Sequence, residues 1–194
     1  GGMNGAGRET MRNLRVDANR LWDSLMDMAK VGALPHGGCC RLALTDEDKE
    51  GRDLFVAWAR DAGCDVSVDR MGNIFARRPG RDDSLPPIVT GSHLDTQPHG
   101  GKFDGVYGVL AGLEVIRSLN DHGVETEAPI EVTVWTNEEG SRFAPSMVAS
   151  GVFGGKFDLD DALAIKDSDG KSIGAELTRI GYAGDLPCGG RPFG

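Results

Sequence analysis

The sequence predicts a layered α/β domain. Short apolar runs of strand character alternate with longer stretches of helical periodicity, which is the pattern of helices packed on a sheet. Two of the apolar runs, Ile88-Val89-Thr90 and Ile130 to Trp135, empty into polar loops rich in glycine. No internal repeat, heptad run or low-complexity segment interrupts the alternation.

Taken in order, Asp17 to Val31 reads as a helix. Asp17 serves as its N-cap, Leu21, Leu25, Met28 and Ala29 share one face, and Gly32 ends it. Pro35 to Cys40 reads as a loop. Thr45-Asp46-Glu47-Asp48 is a capping box with Asp in place of Glu or Gln at its last position. The helix it opens carries Leu54, Phe55, Trp58, Ala59 and Ala62 inward and stops at Gly63. Val66 and Val68 alternate with polar neighbours, Met71-Gly72-Asn73 turns, and Ile74 to Ala76 returns as the second arm of a hairpin. Pro79 to Pro87 is a polar loop before Ile88-Val89-Thr90. Val106 to Leu119 is helical through Val109, Leu110, Leu113, Ile116 and Arg117. After the strand Ile130 to Trp135, two short helices, Leu159 to Ile165 and Ala175 to Ile180, are joined by the turn Asp167-Ser168-Asp169-Gly170.

With 194 residues the chain holds one domain with a sizeable core, or one domain and part of another. A net charge of −9 repels phosphate backbones, so nucleic acid is a poor partner, and a small metabolite or a metal cation suits the chain better. Cys39, Cys40, Cys64 and Cys188 form no CxxC pair and read as free thiols of a reducing compartment, the cytoplasm. No apolar run reaches the length of a membrane span, so no membrane partner is expected. Residues 1–13 read as a disordered leader, and 14–194 as the N-terminal part of an incomplete catalytic domain. The tail from Cys188 to Gly194 ends in mid-loop, which is unusual for a closed domain.

The segment Gly91 to Gly105 reads GSHLDTQPHGGKFDG and runs from a strand end into a helix. Ligands of open α/β sheets bind at the carboxyl ends of strands. His93 and Asp95 are two apart, so on extended backbone they face the same way, as suits a carboxylate that orients a metal-bound imidazole. Asp104 lies at the mouth of the next helix, where a carboxylate is favoured and is able to bridge two cations. The second segment is Thr136-Asn137-Glu138-Glu139-Gly140-Ser141-Arg142-Phe143, again after a strand. Of two adjacent glutamates, one is placed to bind a metal and the other to take a proton from an activated water. Singly these signals are weak. An HxD triplet is common, a Glu-Glu pair is usually a solvated loop, and FDG is usually a turn. Together they put three acceptor clusters behind two strand ends, which surface decoration does not explain.

The strings GSHLDT, GGKFDGVYGVLAGLEVI and TNEEGSRF resemble the zinc-dependent amidohydrolases that include N-carbamoyl-L-amino-acid hydrolases, β-ureidopropionases and allantoate amidohydrolases, within the di-zinc aminoacylase and carboxypeptidase superfamily. The likeness runs from about Val16 onward and is most specific between Gly91 and Phe143. It implies a three-layer αβα catalytic domain of the di-zinc exopeptidase type, truncated before the lid and dimerisation domain. It also implies two divalent ions per subunit (Zn²⁺, with Mn²⁺, Co²⁺ or Ni²⁺ as alternatives), a small carbamoyl or ureido amino acid as substrate, and a homodimer at full length. Carried over residue by residue, His93 and Glu139 are terminal metal ligands, Asp104 bridges, Asp95 orients His93 and Glu138 is the catalytic base. The family's remaining histidine ligands have no match here. His36 and His122 read as loop residues, and His99 as lining the entrance.

Gly100-Gly101-Lys102 is not a phosphate loop, because Phe103 follows the lysine, and Gly105, Gly108 and Gly112 do not fit G-x-G-x-x-G. The serious alternatives are a peptidase or N-acyl amino acid deacylase of the same superfamily, and a catalytically silent metal-binding fragment. Ser141-Arg142-Phe143 after the glutamates resembles the carbamoylase and allantoate branch.

Overall fold

The computed structural model describes residues 16–189. The expected leader, 1–13, and the last residues of the tail lie outside them. Four strands form one mixed sheet in the order β1-β2-β4-β3. β1 (Asp65–Val68) and β2 (Ile74–Arg78) form the expected hairpin, and β2 pairs antiparallel with β4 (Ile130–Val134). β4 runs parallel to β3 (Ile88–Ser92), with Ser92 opposite Val134. The carboxyl ends of β3 and β4 therefore lie side by side, and the two acceptor-rich loops leave the sheet as neighbours.

Helices α1 (Ala18–Ala29), α2 (Asp46–Asp61) and α3 (Val106–Asp121) build the layer on one face. The inward residues of β2 and β4 on that side are Ile74, Ala76, Val132 and Val134, in one core with Phe55, Ala59, Val109, Leu110 and Leu113. Gly112 lets α3 approach closely, since a Cβ there would lie 2.8 Å from Thr90 Cγ2 and 3.1 Å from Val132 Cγ2. α1 stacks on α3 through the bonds of Arg20 to the buried Glu114. On the other face, Phe75, Trp135 and Phe153 meet with ring centroids 5.2 to 6.4 Å apart. Phe153 ends α4 (Val148–Phe153), which with α5 (Leu159–Leu163) and α6 (Ile173–Ile180) follows β4.

Most differences from the sequence reading are at boundaries. α6 begins at Ile173, two residues early, because Ser172 accepts from the Ala175 N–H and caps it. The capping box of α2 is shifted by one. Thr45 accepts from the Asp48 N–H at 3.2 Å, while the shorter Asp48 side chain accepts from the Leu44 N–H at 2.9 Å. α4 carries no sequence signal, since Gly151 lies in it and its N-cap, Met147, offers no side-chain bond. No helix among the described residues is long and apolar enough to cross a membrane.

Candidate metal and catalytic site

His93 is the first residue beyond β3. Its Nδ1 lies 2.7 Å from the backbone carbonyl of Asp95. A carbonyl only accepts, so Nδ1 carries the proton and donates. Nε2 is thereby aimed elsewhere, at Glu139 Oε1, 3.3 Å away. Both side chains are partly buried, 14% and 16% exposed, so water offers little relief.

Asp95 serves the site in two ways. Its backbone carbonyl fixes the imidazole, while its carboxylate Oδ1 stands 3.6 Å from Nδ1. The carboxylate instead accepts from two successive backbone N–H groups, Glu138 at 3.3 Å and Glu139 at 3.2 Å. Successive amides gathered on one anion form a nest. The side chain read from sequence as the orienter of His93 ties the β3 loop to the β4 loop, while the backbone carbonyl of the same residue holds the imidazole. Asp95 is 2% exposed, and burial, followed by the nearby Asp48 carboxylate, pushes its carboxyl up to about 7, against the pull of His93 and the two amides.

Glu138 is half-buried, and burial pushes its carboxyl above the ordinary glutamate value. Its Oε1 is enclosed and has no hydrogen-bond partner in the protein. A buried carboxylate oxygen left unpaired costs about 1–3 kcal/mol or more, so it marks a place where a donor belongs. Glu139 Oε2 accepts from the Gln97 side chain at 3.2 Å.

Asp104 is placed differently. It is exposed, and among the described residues no three His, Cys, Asp or Glu side chains gather closely enough to cage an ion. Its neighbour Gly105, at φ +75°, lies against the imidazole, for a Cβ there would come within 2.2–2.6 Å of the His93 ring atoms. His36 and His99 are exposed, and His122 Nδ1 is bonded to the Ser118 carbonyl, so none joins the group.

Several residues that build the site carried no sequence signal. Arg41 is fully buried, and its Nε donates to Leu94 O at 2.6 Å, between His93 and Asp95. Its backbone pairs with Thr96, and Cys39 pairs with Gly100, so the segment read as a plain loop forms a rail beneath the β3 loop. Arg52 donates to Thr136 Oγ1 at 3.0 Å and to Gly72 O at 2.6 Å while pairing with Asp48. The Thr136 N–H donates to Asn73 Oδ1, and Asn73 is held by Asp69. The contacts of Arg41 with Leu94 and Thr96, and of Thr136 with Asn73 and Arg52, span 53 to 84 residues of sequence, a range over which periodicity carries no information.

Residues 89–181 match peptidase family M20/M25/M40. The chain is 59% identical over 179 residues to an N-carbamoyl-L-amino-acid amidohydrolase of Rhizobium meliloti, covering 92% of this chain and 43% of that protein. It is 34% identical to a ureidoglycolate hydrolase of Arabidopsis thaliana, over 89% of this chain and 37% of that one. The crystal structure of an amidase of the hydantoinase/carbamoylase family from Burkholderia multivorans superposes with a TM-score of 0.92 at 70% identity, over 93% of this chain and 44% of that one. The chain therefore has the fold of this amidase family, and spans less than half the length of the relatives it matches.

Proposed function

We propose, on the premise that this chain belongs to peptidase family M20/M25/M40 through residues 89–181, that the whole protein hydrolyses linear amide or ureido C–N bonds, with an N-carbamoyl-L-amino acid or a related ureido acid as substrate. One observation carries the reading most directly. With Nδ1 donating to the Asp95 carbonyl, the Nε2 of His93 is left facing a carboxylate oxygen 3.3 Å away. Two acceptors at that distance repel unless a proton or a cation lies between them. The unpaired Glu138 Oε1 beside them supports the same reading.

The donors present fit a divalent ion. His93 Nε2 and Glu139 Oε1 would hold it, and Asp104, one residue from the glycine packed on His93, would bridge to a second. Nitrogen and carboxylate donors suit Zn²⁺ first, and also Mn²⁺, Co²⁺ or Ni²⁺. When bound there, such ions supply the Lewis acidity that polarises a carbonyl and brings the pKa of a water to about 7. Glu138 accepts the proton of the attacking water and delivers it to the leaving nitrogen as the C–N bond breaks. Asp95 keeps both glutamates in register, and Gln97 holds the second oxygen of Glu139. For a carbamoyl substrate the products are the amino acid and carbamate, which decomposes to ammonia and carbon dioxide. Four free thiols support a cytoplasmic setting, and the likeness to these amidohydrolases supports a homodimer.

The test is an assay of the whole protein, loaded separately with Zn²⁺, Mn²⁺ and Co²⁺, against an N-carbamoyl-L-amino acid, a ureido acid and a dipeptide. Ammonia release from the first two is expected. Cleavage of the dipeptide with no ammonia from the others would replace this reading with that of a peptidase.

A further inference from the structure

Asn137 stands between β4 and the two glutamates with φ +52°, in the left-handed region. It is fully buried. Asparagine is among the few side chains that tolerate this conformation, and it places single residues there rather than runs. The turn it makes sends the next two amides, Glu138 and Glu139, toward the same Asp95 carboxylate. The side chain then crosses the loop, and Nδ2 donates to Phe143 O at 2.7 Å and to Pro145 O at 3.4 Å. The Met147 N–H closes the ring onto Glu138 O at 3.0 Å. Oδ1 of the same carboxamide is buried with no donor. Glycine would reach the same φ without burying an unmatched oxygen, at a cost of about 1–3 kcal/mol for the oxygen. The backbone conformation alone therefore does not account for a carboxamide here, whereas its two donated bonds do.

From this geometry we infer that Asn137 is the positioning residue of the glutamate pair, acting through its side-chain N–H groups. It braces residues 143–145 so that Glu138 faces inward while Glu139 meets His93. The inference rests on the proposed metal site and adds to it a residue that touches neither ion nor substrate.

The test uses the chain as it stands, with Co²⁺ as the probe, read by titration and by the visible absorption of the bound ion. Asn137→Gly keeps the backbone conformation and removes the brace. Asn137→Asp keeps the shape and replaces the donor with a second acceptor. Both are expected to weaken Co²⁺ binding by roughly 10–100-fold, the range for residues that orient ligands, and to shift the absorption band of what still binds. Native affinity and an unshifted band in Asn137→Gly would overturn the inference. Glu139→Gln and His93→Ala serve as controls. If they abolish binding while Asn137→Gly does not, only the role of Asn137 fails. If binding is insensitive to the controls, or the unsubstituted chain takes up no Co²⁺, the site reading fails and this inference with it. Should the Asn137 variants not fold, amide exchange in the unsubstituted chain decides. The Asn137 carboxamide protons should exchange far more slowly than those of exposed side-chain amides, and fast exchange would overturn the brace.

Discussion

His93 Nε2 faces Glu139 Oε1 across 3.3 Å, and the other ring nitrogen is already committed to the Asp95 carbonyl. The glutamate beside it has an enclosed oxygen that bonds to nothing in the protein. One glutamate is thus turned toward the histidine, while its neighbour, which Ser150 reaches through a hydrogen bond, keeps one enclosed oxygen unpaired.

Glu138→Gln should leave Co²⁺ or Zn²⁺ affinity of the chain within about twofold of native and abolish turnover of the whole protein, because it removes the proposed base and spares the proposed ligand. Glu139→Gln should weaken metal binding by at least roughly tenfold, since a neutral amide is a poor partner for a cation. Metal analysis after dialysis, set beside ammonia release, reads both. Equal metal loss in the two variants would contradict the assignment.

Asp95→Ala removes the acceptor that gathers the Glu138 and Glu139 amides while keeping the backbone carbonyl that fixes His93. Metal affinity should fall by roughly 10–100-fold, with the fold retained by circular dichroism. Affinity equal to native would reduce Asp95 to a loop carboxylate.

Arg52→Met should destabilise the chain by about 3–5 kcal/mol, since it leaves the Asp48 carboxylate unpaired in the interior. Both side chains are 2% exposed, and Arg52 also loses its bonds to Gly72 O and Thr136 Oγ1. Urea denaturation measures the change. The double variant Arg52→Met with Asp48→Leu should recover part of it, and failure of any loss in the single variant would show that the pair contributes nothing.

Iodoacetamide at pH 8 should label the native chain first at Cys40, which is partly exposed. Cys39 is fully buried, donates to Val31 O, and has its thiol pushed up by burial. Burial pushes Cys64 up to about 11, and burial with the Asp69 carboxylate pushes Cys188 up to about 12. The thiolate is the reactive form, so these three should react only after unfolding. Peptide mapping that finds Cys64 or Cys188 modified as fast as Cys40 would refute this.

Short-range patterns were legible before the structure. The helix from Asp17, the Thr45 cap, the hairpin around Gly72 and the apolar face of Val109, Leu110 and Leu113 follow from spacing and from residue types with one physical use each. So did the nomination of His93, Asp95, Glu138 and Glu139, because metal-binding residue types clustered just beyond strand ends are a local signal. α4 was not legible, since Met147 offers no cap and Gly151 weakens any helical pattern.

Local patterning assigns the strands and all the helices but α4, and marks which of them end in acids and a histidine. How those ends meet is set by the packing of the layers. Parallel pairing of β3 with β4 puts Ser92 opposite Val134, and so brings His93 within reach of Glu139, 46 positions later in the chain. The same fold sends Arg41 under Leu94 and Arg52 to Thr136, and leaves Asp104 exposed on its loop. The difference is one of range. Capping, turn chemistry and hydrophobic periodicity act over a few residues and are written locally, whereas a buried guanidinium finds its carbonyl only after the layers have packed.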